Sequence, residues 1–171
     1  MQRSARYIAS IVAALVCSEC VSPPVSAASV NASVNASTLK PLVITKLQDL
    51  DLGSVTLGPG IWSNATISLS RAGAFTCGSV NVTCTGATLV ASYNIQGSNQ
   101  QAVNISAPNV NLVNQSDATK TLILVVDAPT SVVLPNSGHP GIDISLGGSV
   151  TISSSTAAGT YRGTFNVTVD Y

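Results

Sequence analysis

Charge is what this sequence has least of. Asp, Glu, Lys and Arg make up 8% of 171 residues and balance to a formal zero. Without a basic surplus, no surface can neutralise a run of phosphates, which sets nucleic-acid binding aside. Glutamate occurs once (Glu19) and histidine once (His139), a thin supply for chemistry that needs a base, a poised acid or a metal. Aromatic residues are 4% of the chain, with a single tryptophan, Trp62. Any stacking contact with a sugar ring would therefore rest on very few side chains. Long helices are disfavoured too, because 13 glycines and 8 prolines are spread along the chain and leave few stretches of helical length without a breaker.

What is present begins with an address. Arg3 and Arg6 precede an apolar run from Tyr7 to Val16, and Val25-Ser26-Ala27 follows Pro23-Pro24. A positive start, a short apolar core and small residues at the cleavage point are the pattern of a secretory signal peptide over 1–27. The run is too short to cross a bilayer, which takes about 20 apolar residues. No second run of that length follows, so no transmembrane segment is expected in the mature chain. Cys17 after the apolar run is placed like a lipoprotein cysteine, but Val16 stands where a small residue belongs. Removal of 1–27 leaves six acidic side chains, all aspartate (Asp49, Asp51, Asp117, Asp127, Asp143 and Asp170), on a surface solvated by Ser, Thr and Asn. Export to the periplasm, the outer surface or the medium is the expected location.

Cys77 and Cys84 remain after cleavage. In an oxidising compartment they read as one disulfide across a small hairpin, since a metal site would need further Cys or His nearby. The rest of the pattern is of strands. Apolar and polar residues alternate at Ile67 and Leu69, at Val80, Val82 and Cys84, from Leu89 to Ile95, at Val103 and Ile105, and from Ile142 to Leu146. Thr121–Val126 is continuous, which predicts a strand buried on both faces. Turns are predicted at Gly58-Pro59-Gly60, Gly97-Ser98-Asn99, Pro135–Gly138 and Gly147-Gly148. Short strands at this spacing predict an all-β antiparallel sandwich or barrel over 41–171.

Both ends of that domain draw notice. Tyr161, Gly163, Phe165, Val167, Val169 and Tyr171 point one way and the residues between them the other, which predicts one last strand of eleven residues. It is either the closing strand of a complete sandwich or an edge awaiting a partner. Residues 28–40 form a low-complexity extension in which Val30, Ala32, Val34 and Ala36 alternate with Asn31, Ser33, Asn35 and Ser37. It reads either as a flexible tail or as a strand that completes a neighbour's sheet.

Three segments carry a resemblance: 41–55, 136–150 and 159–171, the last reading G-x-Y-x-G-x-F-x-V-x-V-x-Y. Together they are similar to the bacterial domain-of-unknown-function family 4402 over most of the mature chain. Leu52 departs from it, standing where an aromatic is common. The resemblance implies an exported Gram-negative protein with an immunoglobulin-like, pilin-like β-sandwich that lacks its last strand. It implies partners as well: a periplasmic chaperone that fills the gap, then the extension of another subunit. Val30, Val34, Phe165, Val167, Val169 and Tyr171 are the strand-exchange candidates on this reading.

Candidate chemistry is sparse. His139 falls in a turn-like segment and reads as a solvated loop residue. Asp49 and Asp51 share a face if extended and would bind calcium only with help from carbonyls or Asn side chains; no loop of liganding oxygens surrounds them. No cofactor or catalytic residue is expected. Seven Asn-x-Ser/Thr sequons (Asn31, Asn35, Asn64, Asn81, Asn104, Asn114, Asn166) reflect Asn/Ser/Thr-rich strands in a bacterial chain. The function expected is a non-enzymatic structural or assembly subunit of a pilus-like or cell-surface structure. The alternative is a monomeric binding module for carbohydrate or another ligand, with Trp62 as its exposed contact.

Overall fold

The computed structural model describes residues 29–171; the signal-peptide reading of 1–27, Cys17 and Ala28 lie outside them. Ser37–Tyr171 forms a compact unit, and all its regular structure is β. In chain order the strands are β1 (Val43–Gln48), β2 (Ser54–Leu57), β3 (Ala65–Leu69), β4 (Phe75–Cys77), β5 (Val82–Thr85), β6 (Ala91–Gln96) and β7 (Ala102–Ser106). They continue as β8 (Val110–Asn114), β9 (Thr121–Asp127), β10 (Ser131–Val133), β11 (Ile142–Ile152), β12 (Tyr161–Arg162) and β13 (Thr168–Asp170). The largest sheet runs β1-β6-β11-β9-β8-β12, with β3 and β4 joined to the other edge of β11; β10-β7-β13 and β2-β5 are separate sheets. All pairings between these strands are antiparallel. The predicted antiparallel sandwich is the architecture found.

β11 organises it. Its first half, Ile142–Leu146, pairs with β6, whereas Gly147–Val150 pairs with β9 and Gly148–Ile152 with β3. One strand thus serves two cores. The first, built on Ala91, Ile95, Val103, Ile105, Leu134, Ile144 and Leu146, lies between β1-β6-β11 and β10-β7-β13. The second, built on Ala65, Ile67, Val82, Leu124, Val150 and Ile152, lies between the rest of the large sheet and the β2-β5 pair. Leu50, Val126 and Phe165 pack against both.

Three expectations are corrected. Gly147-Gly148 is not a turn: it sits inside β11 where the partner changes. A Cβ on Gly147 would stand 2.0 Å from the Leu69 carbonyl oxygen, so the glycine is there for close backbone approach. Thr121–Val126 is not buried on both faces, since Ile123 is 60% and Val125 49% exposed. The run is apolar on both sides, yet only Leu122, Leu124 and Val126 face a core. The last eleven residues are not one paired strand either. Tyr161–Arg162 pairs with β8 and Thr168–Asp170 with β7, because the chain leaves one sheet and joins the other. The side-chain alternation persists across the gap, with Phe165, Val167 and Val169 half-buried and Asn166 and Thr168 exposed.

Candidate functional site

Among the described residues β1 pairs only with β6 and β13 only with β7, so each is the last strand of its sheet there. The two sheets face each other across the first core. Between these edges lies an open groove of about 500 Å³ lined by Ile44, Lys46, Tyr93 and the stretch Phe165–Thr168. Sequence places every part of it. Ile44 faces inward because it alternates along β1, opposite Ile95 in the register with β6. Phe165 and Val167 face inward by the same period of two on a stretch without a ladder partner of its own. A β-bulge between Lys46 and Gln48 ends the regular pairing of β1 and leaves Leu47 56% exposed.

The electrostatics of the groove are simple. The Lys46 ammonium donates to the Asp49 carboxylate at 2.9 Å, which raises the Lys46 pKa and keeps it cationic. Burial, only partly opposed by the Lys46 charge, pushes the Tyr93 phenol up, so it stays neutral. The groove therefore has an apolar floor, one cation at its rim and no paired nucleophile and base. What it offers a partner is two sheet edges and a row of alternate apolar contacts, the requirements for accepting a strand.

A small hydrogen-bonded knot closes one end. The Tyr171 hydroxyl donates to the Lys40 carbonyl at 2.6 Å and accepts the Ser98 N–H at 2.8 Å. The Lys40 N–H in turn donates to Ser98 Oγ at 2.6 Å. Gly97 makes room for this: a Cβ there would meet the Tyr171 hydroxyl, a Leu134 methyl and a Leu42 methyl, all within 2.8 Å. The sequence marks Gly97-Ser98-Asn99 only as a turn and gives Lys40 no role.

The other candidate residues are spread out. Val30 and Val34 lie outside any strand and are 93% and 89% exposed. Phe165 joins the two cores, while Val167 and Val169 pack on the first. Cys77 and Cys84 are bonded as expected, with their Cα atoms 6.0 Å apart. They do not close a hairpin, however, because β4 pairs with β3 and β5 with β2. The disulfide instead ties the small sheet to the large one. Trp62 is half-buried against the second core and its indole N–H donates to the Gly58 carbonyl; the neighbouring Ile61 is the fully exposed side chain of that loop. His139 is exposed and followed by a cis peptide bond to Pro140. Asp49 holds Lys46, and Asp51 accepts the Gly53 N–H at 2.8 Å. Among the described residues no group of three or more His, Cys, Asp or Glu is placed to hold a metal. Of the sequons, Asn114 is buried, 2% exposed, and serves as a hub: its amide donates to Ala158 and its oxygen accepts the Ser116 N–H.

Fold and groove together define a two-core β-sandwich with an open seam between two sheet edges. The chain belongs to the family described as Domain of unknown function (DUF4402), whose model matches residues 42–171. No curated protein and no solved structure matches it.

Proposed function

We propose that the chain is an exported, non-enzymatic structural subunit that assembles into a pilus-like or cell-surface structure by donor-strand exchange. The observation that carries this reading is the seam: two last strands, β1 and β13, flank a groove with an apolar floor. An inserted strand would gain main-chain hydrogen bonds from the edges and register from alternate side chains. Residues 29–40 supply the matching part, alternating small apolar and polar residues over roughly 40 Å when extended at about 3.3 Å per residue. Two valines and two alanines bury little area, and at about 25 cal/mol per Å² most of the affinity must come from the backbone ladder. Before assembly, a periplasmic chaperone would cover the same groove.

Size-exclusion chromatography with light scattering tests it, on the processed chain with and without residues 28–40. The full chain is expected to form multimers. The shortened chain should stay monomeric, and should gain stability when a peptide of residues 29–40 is added. Compact monomers of equal stability in both forms, indifferent to the peptide, would overturn the proposal.

A further inference from the structure

Resting on the donor-strand reading, we infer that Tyr171, Ser98 and Lys40 form a latch that denies the groove to the chain's own extension, so that its occupant comes from a second copy. The argument starts with direction. Lys40 and the start of β1 sit beside Tyr171, at the end of β13. Further along, Lys46 of β1 shares the groove wall with Asn166 and Thr168. The two edges therefore run antiparallel, and a strand between them is parallel to one and antiparallel to the other.

An extension folding back from Lys40 would have to reverse between Leu39 and Leu42, then run antiparallel to β1 and parallel to β13. Two features oppose that reversal. Pro41 biases the residue before it toward extended backbone and cannot supply an N–H to a tight turn. Both backbone polar groups of Lys40 are already engaged, its N–H by Ser98 Oγ and its carbonyl by the Tyr171 hydroxyl. Rearranging Lys40 would take its N–H from the hydroxyl of the buried Ser98, and a buried group left without its partner is costlier than a bond never formed. A neighbour's extension meets none of these obstacles. It can enter in the opposite direction, antiparallel to β13 and parallel to β1, with no reversal at Lys40.

The test removes the hydroxyl and keeps the ring. Processed wild-type chain and Tyr171→Phe are compared for multimer content by light scattering, and the monomer fraction of each for amide exchange over residues 30–36. Ser98→Ala is the second variant; it removes the Lys40 N–H acceptor without touching the C-terminal side chain. Each variant should raise the ratio of monomer to multimer about tenfold, the upper end of what one hydrogen bond contributes. In those monomers residues 30–36 should become protected as the extension closes its own groove. Multimers in the wild type with an unchanged ratio in both folded variants would overturn the latch and leave the donor-strand reading standing. So would a shift to monomers whose residues 30–36 remain unprotected. Wild-type monomers that ignore the free 29–40 peptide would overturn both.

Discussion

Around Ile67 and Val150 the sandwich is closed: β3 and β9 flank β11 on both edges, the β2-β5 pair covers the inner face, and Cys77–Cys84 ties that cover to the large sheet. Around Ile95 and Val103 it is open. There the facing sheets end at β1 and β13 with a groove between them, and no covalent tie joins them among the described residues. Both cores share one long strand and three bridging side chains, Leu50, Val126 and Phe165. A domain that spends its only described disulfide on the closed half can leave the other half a strand short. On the proposed donor-strand reading, the closed core holds the shape while the open one takes the incoming strand.

The sharpest way to break this arrangement is at the strand both halves use. Gly147→Ala puts a methyl 2.0 Å from the Leu69 carbonyl oxygen and 2.7 Å from the Arg71 nitrogen, and neither backbone can yield without unpairing β3. Loss of about 3 kcal/mol or more is expected in denaturant unfolding, at the top of the usual overpacking range. Gly148→Ala should cost clearly less. Its nearest neighbours are a Leu124 methyl at 2.8 Å, a side-chain end that can swing aside, and then a Leu50 methyl and the Val125 carbonyl oxygen, both at 3.2 Å, so its one close backbone contact is far looser than that at Gly147. Equal losses would mean that backbone crowding does not dictate the glycine pair.

Removing the tie separates the halves. Cys77→Ser with Cys84→Ser should cost about 2.5 kcal/mol by the loop-entropy model. The effect should be local: hydrogen exchange is expected to quicken in β2 and β5 while Ile95, Val103 and their neighbours keep their protection. Uniform quickening across both cores would show that they open as one unit.

The same contrast explains what could be read from the sequence. Period-two alternation marked β3, β6, β7 and most of β11, because those strands have one face on a core and one in water. The disulfide was legible because only two cysteines follow Ala27. The misreadings fall where an element serves two neighbours. Gly147-Gly148 looks like a turn to any composition rule, yet the absence of a side chain is also what a strand needs when backbone crowds both edges. The close at Tyr161–Tyr171 alternates without a break, and nothing in that alternation records that its hydrogen bonds pass from β8 to β7. Trp62 looked like an exposed contact because it follows Gly60-Ile61; pairing of its backbone with Ser154, 92 residues away, settles its place. The Tyr171–Lys40–Ser98 knot joins residues up to 131 apart, beyond any local pattern.

The two halves should also differ in how pH loosens them, by a smaller margin. In the closed half, the turn between β8 and β9 is held by Asp117, whose carboxylate accepts both the N–H and the hydroxyl of Thr119, at 3.0 and 2.7 Å. These bonds, with a lesser contribution from Lys120, hold its pKa below the ordinary carboxylate value. The folded pKa being the lower one, its stabilisation is present above the unfolded pKa and is lost as pH falls through the folded pKa. At the groove the sign is opposite. Asp49 raises the Lys46 pKa, so that contribution is present below the unfolded lysine pKa and is lost as pH rises through the folded one. Both groups are exposed, so solvent screening keeps either effect small. Asp117→Asn should flatten the acid limb of the stability profile and leave the alkaline limb alone, and Asp49→Asn should flatten the alkaline limb. If Asp117→Asn altered the alkaline limb instead, the carboxylate would be acting through something other than its bonds to Thr119. The assignment of acid sensitivity to the closed half would then fall.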